Sequence, residues 1–187
     1  WWNAMSVRVD TWYHLDRTLR SLVQLLDRAG IEYVLGGGNH CAGFKGGSII
    51  VSAAPWGSYM QGTYINGLNT VLASGSADDG FQLTTEGIDS AIGYAQEHGH
   101  PAVALVITSP DNPTGNYLPL EHIHNLISHA VRKGITYVLV DLMYQTVTDP
   151  DVGMYDVAGL LEKLSPQERD CVFFLDGLTK SIGGSNL

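Results

Sequence analysis

Residues Ala102–Thr108 read AVALVIT, an unbroken apolar run whose only polar side chain is the last. The run is far shorter than the ~20 residues of a membrane-crossing helix. It also lacks the apolar–polar alternation of a strand with one wet face. A central strand of a parallel sheet, covered on both sides, fits it best. On either side lie amphipathic stretches: residues 85–97, with Thr84 or Thr85 placed to cap a helix, and residues 119–133, ended by Gly134. An apolar strand between two such helices is the repeating unit of an α/β fold.

The same alternation continues outward. SIIVSA at 48–53 and the stretch 70–73 read as strands, 135–140 as a second buried strand and CVFFL at 171–175 as a third. A helix over 156–164 would connect these last two. Nearer the N-terminus, Leu15, Leu19, Leu22, Leu25 and Leu26 fall on one helical stripe over residues 15–29, closed by Gly30. A short apolar segment, 31–35, then runs into Gly36, Gly37 and Gly38. The expected architecture is α/β: a mainly parallel sheet flanked by helices on both faces, in three layers. No repeat, low-complexity tract or linker divides residues 1–187, so one domain is expected.

Composition narrows the function. With 44% hydrophobic residues the chain can build a substantial core, and ten Lys+Arg against nineteen Asp+Glu give a formal charge of −9. Such a surface repels phosphate backbones, so nucleic acid is not an expected partner. No segment resembles a membrane span or a signal peptide, which makes cytoplasm the expected compartment. Cys41 and Cys171 are too isolated to suggest a disulfide framework and are expected as free, buried thiols.

Chemistry gathers where the expected strands end. Residues 102–108 lead to Asn112-Pro113-Thr114-Gly115, 135–140 to Asp141 and Tyr144, and 171–175 to Thr179-Lys180. Ligands of open parallel sheets bind beyond the carboxyl ends of the strands, so these residues could share one crevice. A carboxylate such as Asp141, placed at the end of a buried strand, needs a partner to offset its desolvation. A lysine amine becomes nucleophilic only when unprotonated, and Lys180 follows an apolar segment that sets its backbone beside the sheet core. Asn112 and Pro113 initiate a turn that Gly115 can complete, and the Asn112–Pro113 bond is a candidate cis peptide.

Taken in order, the glycine-rich turn, the Asn-Pro-Thr-Gly turn, the Asp-x-x-Tyr pair and the Thr-Lys after a strand resemble fold-type I pyridoxal-phosphate enzymes. More narrowly they resemble the class I/II aminotransferases, from about residue 15 to the last residue. The resemblance implies pyridoxal 5'-phosphate as cofactor and amino acids and 2-oxo acids as small-molecule substrates, exchanged through a Schiff base on Lys180. It implies that Asp141 pairs with the pyridine nitrogen, and that Tyr144 and Asn112 donate to the cofactor's phenolate oxygen. Trp56 would stack on the ring, and Gly38, Asn39 and His40 would open the phosphate cup, with Thr179 beside the lysine. Lys180, Asp141 and Tyr144 are then the catalytic set. The resemblance also implies a homodimer and makes residues 1–187 a large domain whose small C-terminal partner domain is not in this chain.

Departures from the family pattern are equally specific. Gly177 stands where the family has a phosphate-binding serine, and the chain ends one residue before the expected phosphate-clamping arginine. The stretch 38–43 has the glycine spacing of a P-loop, yet Phe44 occupies the lysine position, which rules against that reading. His122 and His124, two apart on a helix, cannot chelate a metal together. Another enzyme of the same fold (a lyase, decarboxylase or racemase) and a non-catalytic regulatory domain remain as alternatives, because the cofactor carries the chemistry and the protein selects the bond.

Overall fold

The computed structural model describes residues 47–177 and residue 180, all within the second of the two units into which the chain divides, Gly37–Leu187. The helix expected over 15–29, the segment 31–35, the glycine cluster, Cys41, the phosphate-cup residues Gly38, Asn39 and His40, and Thr179 lie outside the described residues. Within them a five-stranded parallel sheet is formed by β1 (Ser48–Val51), β2 (Asn69–Leu72), β3 (Ala102–Thr108), β4 (Tyr137–Asp141) and β5 (Val172–Leu175). Its order is β2-β1-β3-β4-β5. AVALVIT is thus the middle strand, hydrogen-bonded on both sides.

Strand pairing sorts the side chains by face. Leu105 and Ile107 of β3 lie level with Val138 and Val140 of β4, and Val172 and Phe174 of β5 continue the row. This face receives α2 (Thr85–Glu97), α3 (Leu120–Arg132) and α4 (Val157–Lys163). Helix α3 buries Ile123, Leu126, Ile127 and Ala130, the i, i+3, i+4, i+7 spacing of a single stripe. Thr84 caps α2 by accepting from the Gly87 amide at 3.0 Å. A β-carbon at Gly87 would stand 2.6 Å from the Ser74 carbonyl oxygen, so glycine is what lets α2 lie this close. Helix α3 stops at Gly134, whose φ of 86° suits a residue without a β-carbon.

Leu126 is fully buried in the middle of this layer. Leu126→Ala is expected to remove between about 2 and 5 kcal/mol of stability, as buried leucine truncations do. Denaturant unfolding followed by circular dichroism would measure it. An unchanged midpoint would mean that the α3 stripe does not hold the layer.

Three features differ from the sequence reading. Among the described residues CVFFL is an edge strand, paired with β4 alone, and Phe173 and Leu175 are about two-fifths exposed instead of buried. Cys171 belongs to the preceding helix, α5 (Pro166–Cys171), whose last turn leaves the free thiol half-buried instead of buried. That helix opens with a capping box, in which Ser165 accepts from the Glu168 amide and Glu168 accepts from the Ser165 amide. The third is α1 (Gly57–Ile65), which has no apolar stripe: Thr63 is buried while Tyr64 is 84% exposed.

Candidate active site

All five strands run in parallel, so every βα loop leaves from the same edge of the sheet. Strand order reverses between β1 and β3, and a crevice opens at such a point. From β1 the chain enters Trp56 and α1; from β3 it enters Thr108 and the turn carrying Asn112; from β4 it delivers Asp141 and Tyr144; from β5 it reaches Gly177 and Lys180.

Asp141 is the last residue of β4 and is only 5% exposed. Its Oδ2 accepts a 2.5 Å hydrogen bond from the Tyr59 hydroxyl, and its Oδ1 accepts from the Met143 amide at 2.9 Å. The Tyr59 hydroxyl also lies 3.1 Å from Thr108 Oγ1, on the strand beside Asp141. Burial, reinforced by the neighbouring carboxylate, pushes the Tyr59 phenol well above its ordinary pKa, so it stays protonated and acts as a donor. Both of these partners, the ones among the described residues, are neutral. Among the described residues no cation forms an ion pair with it.

Tyr59 was not visible in the sequence because its helix was not. Tyr59 and Thr63 sit four residues apart on the inward side of α1, the Thr63 hydroxyl donating to the Tyr59 carbonyl at 2.7 Å. A helix whose inner face carries hydroxyls shows no hydrophobic stripe. The available signal was the position of a tyrosine three residues after the expected ring-stacking Trp56.

Trp56 itself is 47% exposed, with its ring edge-to-face against Tyr59 at 5.6 Å. It is not a core tryptophan. Asn112 donates from Nδ2 to the Tyr144 hydroxyl at 3.2 Å, which joins the β3 and β4 loops. The Asn112–Pro113 bond is cis, and so is Ser109–Pro110. Lys180 is exposed, and its ammonium lies over the Tyr144 ring, 5.4 Å from the centroid. The structure therefore brings Asn112, Tyr144 and Lys180 into one chain of contacts. Asp141 sits on the same β4 loop, held by Tyr59, with Trp56 against that tyrosine.

At Gly177 a β-carbon would stand 2.9 Å from Met143 Sδ and 3.0 Å from its Cε. The methionine fills the space where a side chain at 177 would begin. Beside the site, Asn112, Asp111, Tyr117, Tyr144, Val147 and Asp149 are among the residues lining an open groove of about 500 Å³. Burial raises the Asp111 carboxyl above the usual aspartate range.

Two of the described histidines hydrogen-bond to backbone carbonyls. His122 Nε2 lies 3.0 Å from the Leu83 carbonyl oxygen, and His98 Nδ1 is 2.8 Å from that of Tyr94. Among the described residues no three His, Cys, Asp or Glu side chains gather as a metal site, and no helix is long and apolar enough to cross a membrane.

Residues 20–187 match the family model described as aminotransferase class I and II. The chain belongs to the aminotransferase class I and II family. Its relatives within that family differ in reaction. It is 28% identical over 117 residues to 1-aminocyclopropane-1-carboxylate synthase 6 of Arabidopsis thaliana, covering 63% of this chain and 23% of that protein. With the probable aspartate/prephenate aminotransferase of Rickettsia felis it shares 24% over 137 residues, 73% of this chain and 31% of the relative. The fold matches the aspartate aminotransferase from Rhizobium meliloti with a TM-score of 0.61 at 24% identity, over 74% of this chain and 32% of that one. A PLP-bound C–S lyase from Staphylococcus hominis gives 0.60 at 13% identity, over 76% and 34%. The chain thus spans about a quarter to a third of the length of these relatives.

Proposed function

We propose that the protein carrying this chain binds pyridoxal 5'-phosphate through Lys180 and transfers amino groups between an amino acid and a 2-oxo acid. The observation that carries the reading is the joining of three strand ends, Asn112 to Tyr144 to Lys180, beside a buried carboxylate whose donors among the described residues are neutral. Family membership supports it. A buried charge of this kind favours a cationic ring nitrogen as its partner, so the residues present fit the cofactor.

When bound, pyridoxal phosphate supplies an electron sink for the bond broken at the substrate's α-carbon. Each side chain then has a definable task. Asp141, oriented by Tyr59 and the Met143 amide, holds a proton on the ring nitrogen. The Tyr144 oxygen accepts from Asn112, which leaves its own proton to be donated to a phenolate at the site. Trp56 has an accessible ring to stack on the cofactor. Lys180 provides the amine and, once released, shuttles the α-proton. Gly38, Asn39, His40 and Thr179 complete the proposal as the phosphate contacts. A homodimer working in the cytoplasm is part of the same proposal.

A second reading is a lyase on the same apparatus, favoured by the match to the 1-aminocyclopropane-1-carboxylate synthase. One experiment addresses both. Full-length protein loaded with pyridoxal phosphate is expected to show a visible absorption band, and borohydride reduction should leave the cofactor on the peptide bearing Lys180. Labelled amino nitrogen should then pass to an added 2-oxo acid. Label that is neither passed to the acceptor nor left on the starting amino acid, but found on a new amino product or freed as ammonia, would select the lyase, and a colourless protein would remove both.

A further inference from the structure

The ends of β3, β4 and β5 are tied together behind the candidate site by buried side chains that the proposed chemistry does not use. Gln145 follows Tyr144 directly and is 4% exposed. Its Nε2 donates to Asp176 Oδ2 at 2.7 Å, and its Oε1 accepts from the Tyr155 amide at 3.2 Å. Both ends of the carboxamide are therefore engaged, which fixes its rotamer as well as its place. Asp176 is an exposed carboxylate four residues before Lys180, and its Oδ1 receives the Gly177 amide at 2.7 Å.

The brace extends in the other direction through Tyr155. Its hydroxyl donates to the Leu118 carbonyl at 2.9 Å and lies 2.5 Å from Ser109 Oγ, while the Leu118 amide donates to the same Ser109 Oγ at 2.8 Å. These bonds pin the two ends of the loop that carries Asn112. Burial raises the Tyr155 phenol well above its ordinary pKa and so keeps its donor proton in place. A continuous path of hydrogen bonds thus runs from the Asn112 loop through Tyr155 and Gln145 to the segment that presents Lys180.

We infer that Gln145 is a positioning residue which, through its bond to Asp176, sets where Lys180 stands against Tyr144. The inference rests on the proposed role of Lys180 for its meaning, though the contact itself does not. Without the Gln145–Asp176 bond the strand-end segment is held by backbone pairing as far as the Leu175 carbonyl, which accepts from the Leu142 amide at 2.8 Å. Beyond that point the Gln145–Asp176 bond is a side-chain hydrogen bond from the β4 loop to this segment, beside the packing of Met143 on Gly177.

Variants of the exposed Asp176 test this without disturbing the core. Asp176→Ala removes the acceptors of both Gln145 and the Gly177 amide, whereas Asp176→Asn removes the charge and the Gly177 acceptor but keeps an oxygen for Gln145. In full-length protein without cofactor, Lys180 acylation by a water-soluble N-hydroxysuccinimide ester is read by peptide mass spectrometry. In cofactor-loaded protein, the pH midpoint of the visible band is read. Asp176→Ala is expected to raise the Lys180 labelling rate about threefold and to move the midpoint by about half a pH unit, the scale of one lost hydrogen bond. Asp176→Asn should remain near wild type in both.

Wild-type values in Asp176→Ala would overturn the inference. So would Asp176→Asn moving as far as the alanine variant, since the charge and not the bond would then act on Lys180. Should wild-type protein show no visible band, the proposed function fails while the labelling arm still judges the brace.

Discussion

Lys180→Ala in the full-length protein is expected to lose the visible cofactor band and at least about 10⁴-fold in turnover. The loss combines covalent binding of the cofactor with proton transfer at the α-carbon, each of which alone is worth orders of magnitude. Stability should barely change. Lys180 is exposed, and its visible contact is the face of Tyr144, an interaction of about 1 kcal/mol at such a site. Absorbance, steady-state turnover and thermal unfolding on one preparation separate the two effects. A variant that keeps the band would move the covalent role to another amine.

Asp141→Asn carries the second large effect. The amide oxygen can still accept from Tyr59 or the Met143 amide, so the loop keeps its shape. What disappears is the charge that would keep a proton on the ring nitrogen. Losing one such preorganised electrostatic contact costs roughly 10²- to 10³-fold in rate, about 3–4 kcal/mol of transition-state stabilisation. Cofactor-free protein should respond differently. A carboxylate 5% exposed, whose donors among the described residues are neutral, is costly to bury, so the neutral amide should leave stability within about 1 kcal/mol or raise it. If activity and unfolding midpoint fell together, Asp141 would be a structural residue and not a partner of the ring.

The legible parts of the sequence were those where local pattern and final environment agree. AVALVIT is apolar on both faces because it is the middle strand, and Thr84 stands where α2 needs a cap. That Asn112, Asp141, Tyr144 and Lys180 follow strands could be read from the sequence, and a parallel sheet sends such loops to one edge; the roles proposed for them come from the family resemblance. Tyr59 could not. It works from a helix whose inner side is polar, and periodicity detects only apolar faces. The capping box at Ser165 and Glu168 was present in the sequence and would have revealed α5. Nothing local announces the Gln145–Asp176 bond, which joins residues 31 apart across two strand ends.

The close approach of Met143 to the bare α-carbon of Gly177 has a consequence for how these two positions can vary. A serine introduced at 177 would arrive against a thioether already 2.9 Å from its first carbon, so the newcomer and the methionine cannot both keep their places. Methionine is unbranched and bends aside cheaply, yet doing so would disturb the residue whose amide steadies Asp141. Substitutions at 143 and 177 are therefore coupled: a side chain gained on the β5 side demands a smaller or redirected neighbour on the β4 side, and with it a resetting of the amide that holds the carboxylate.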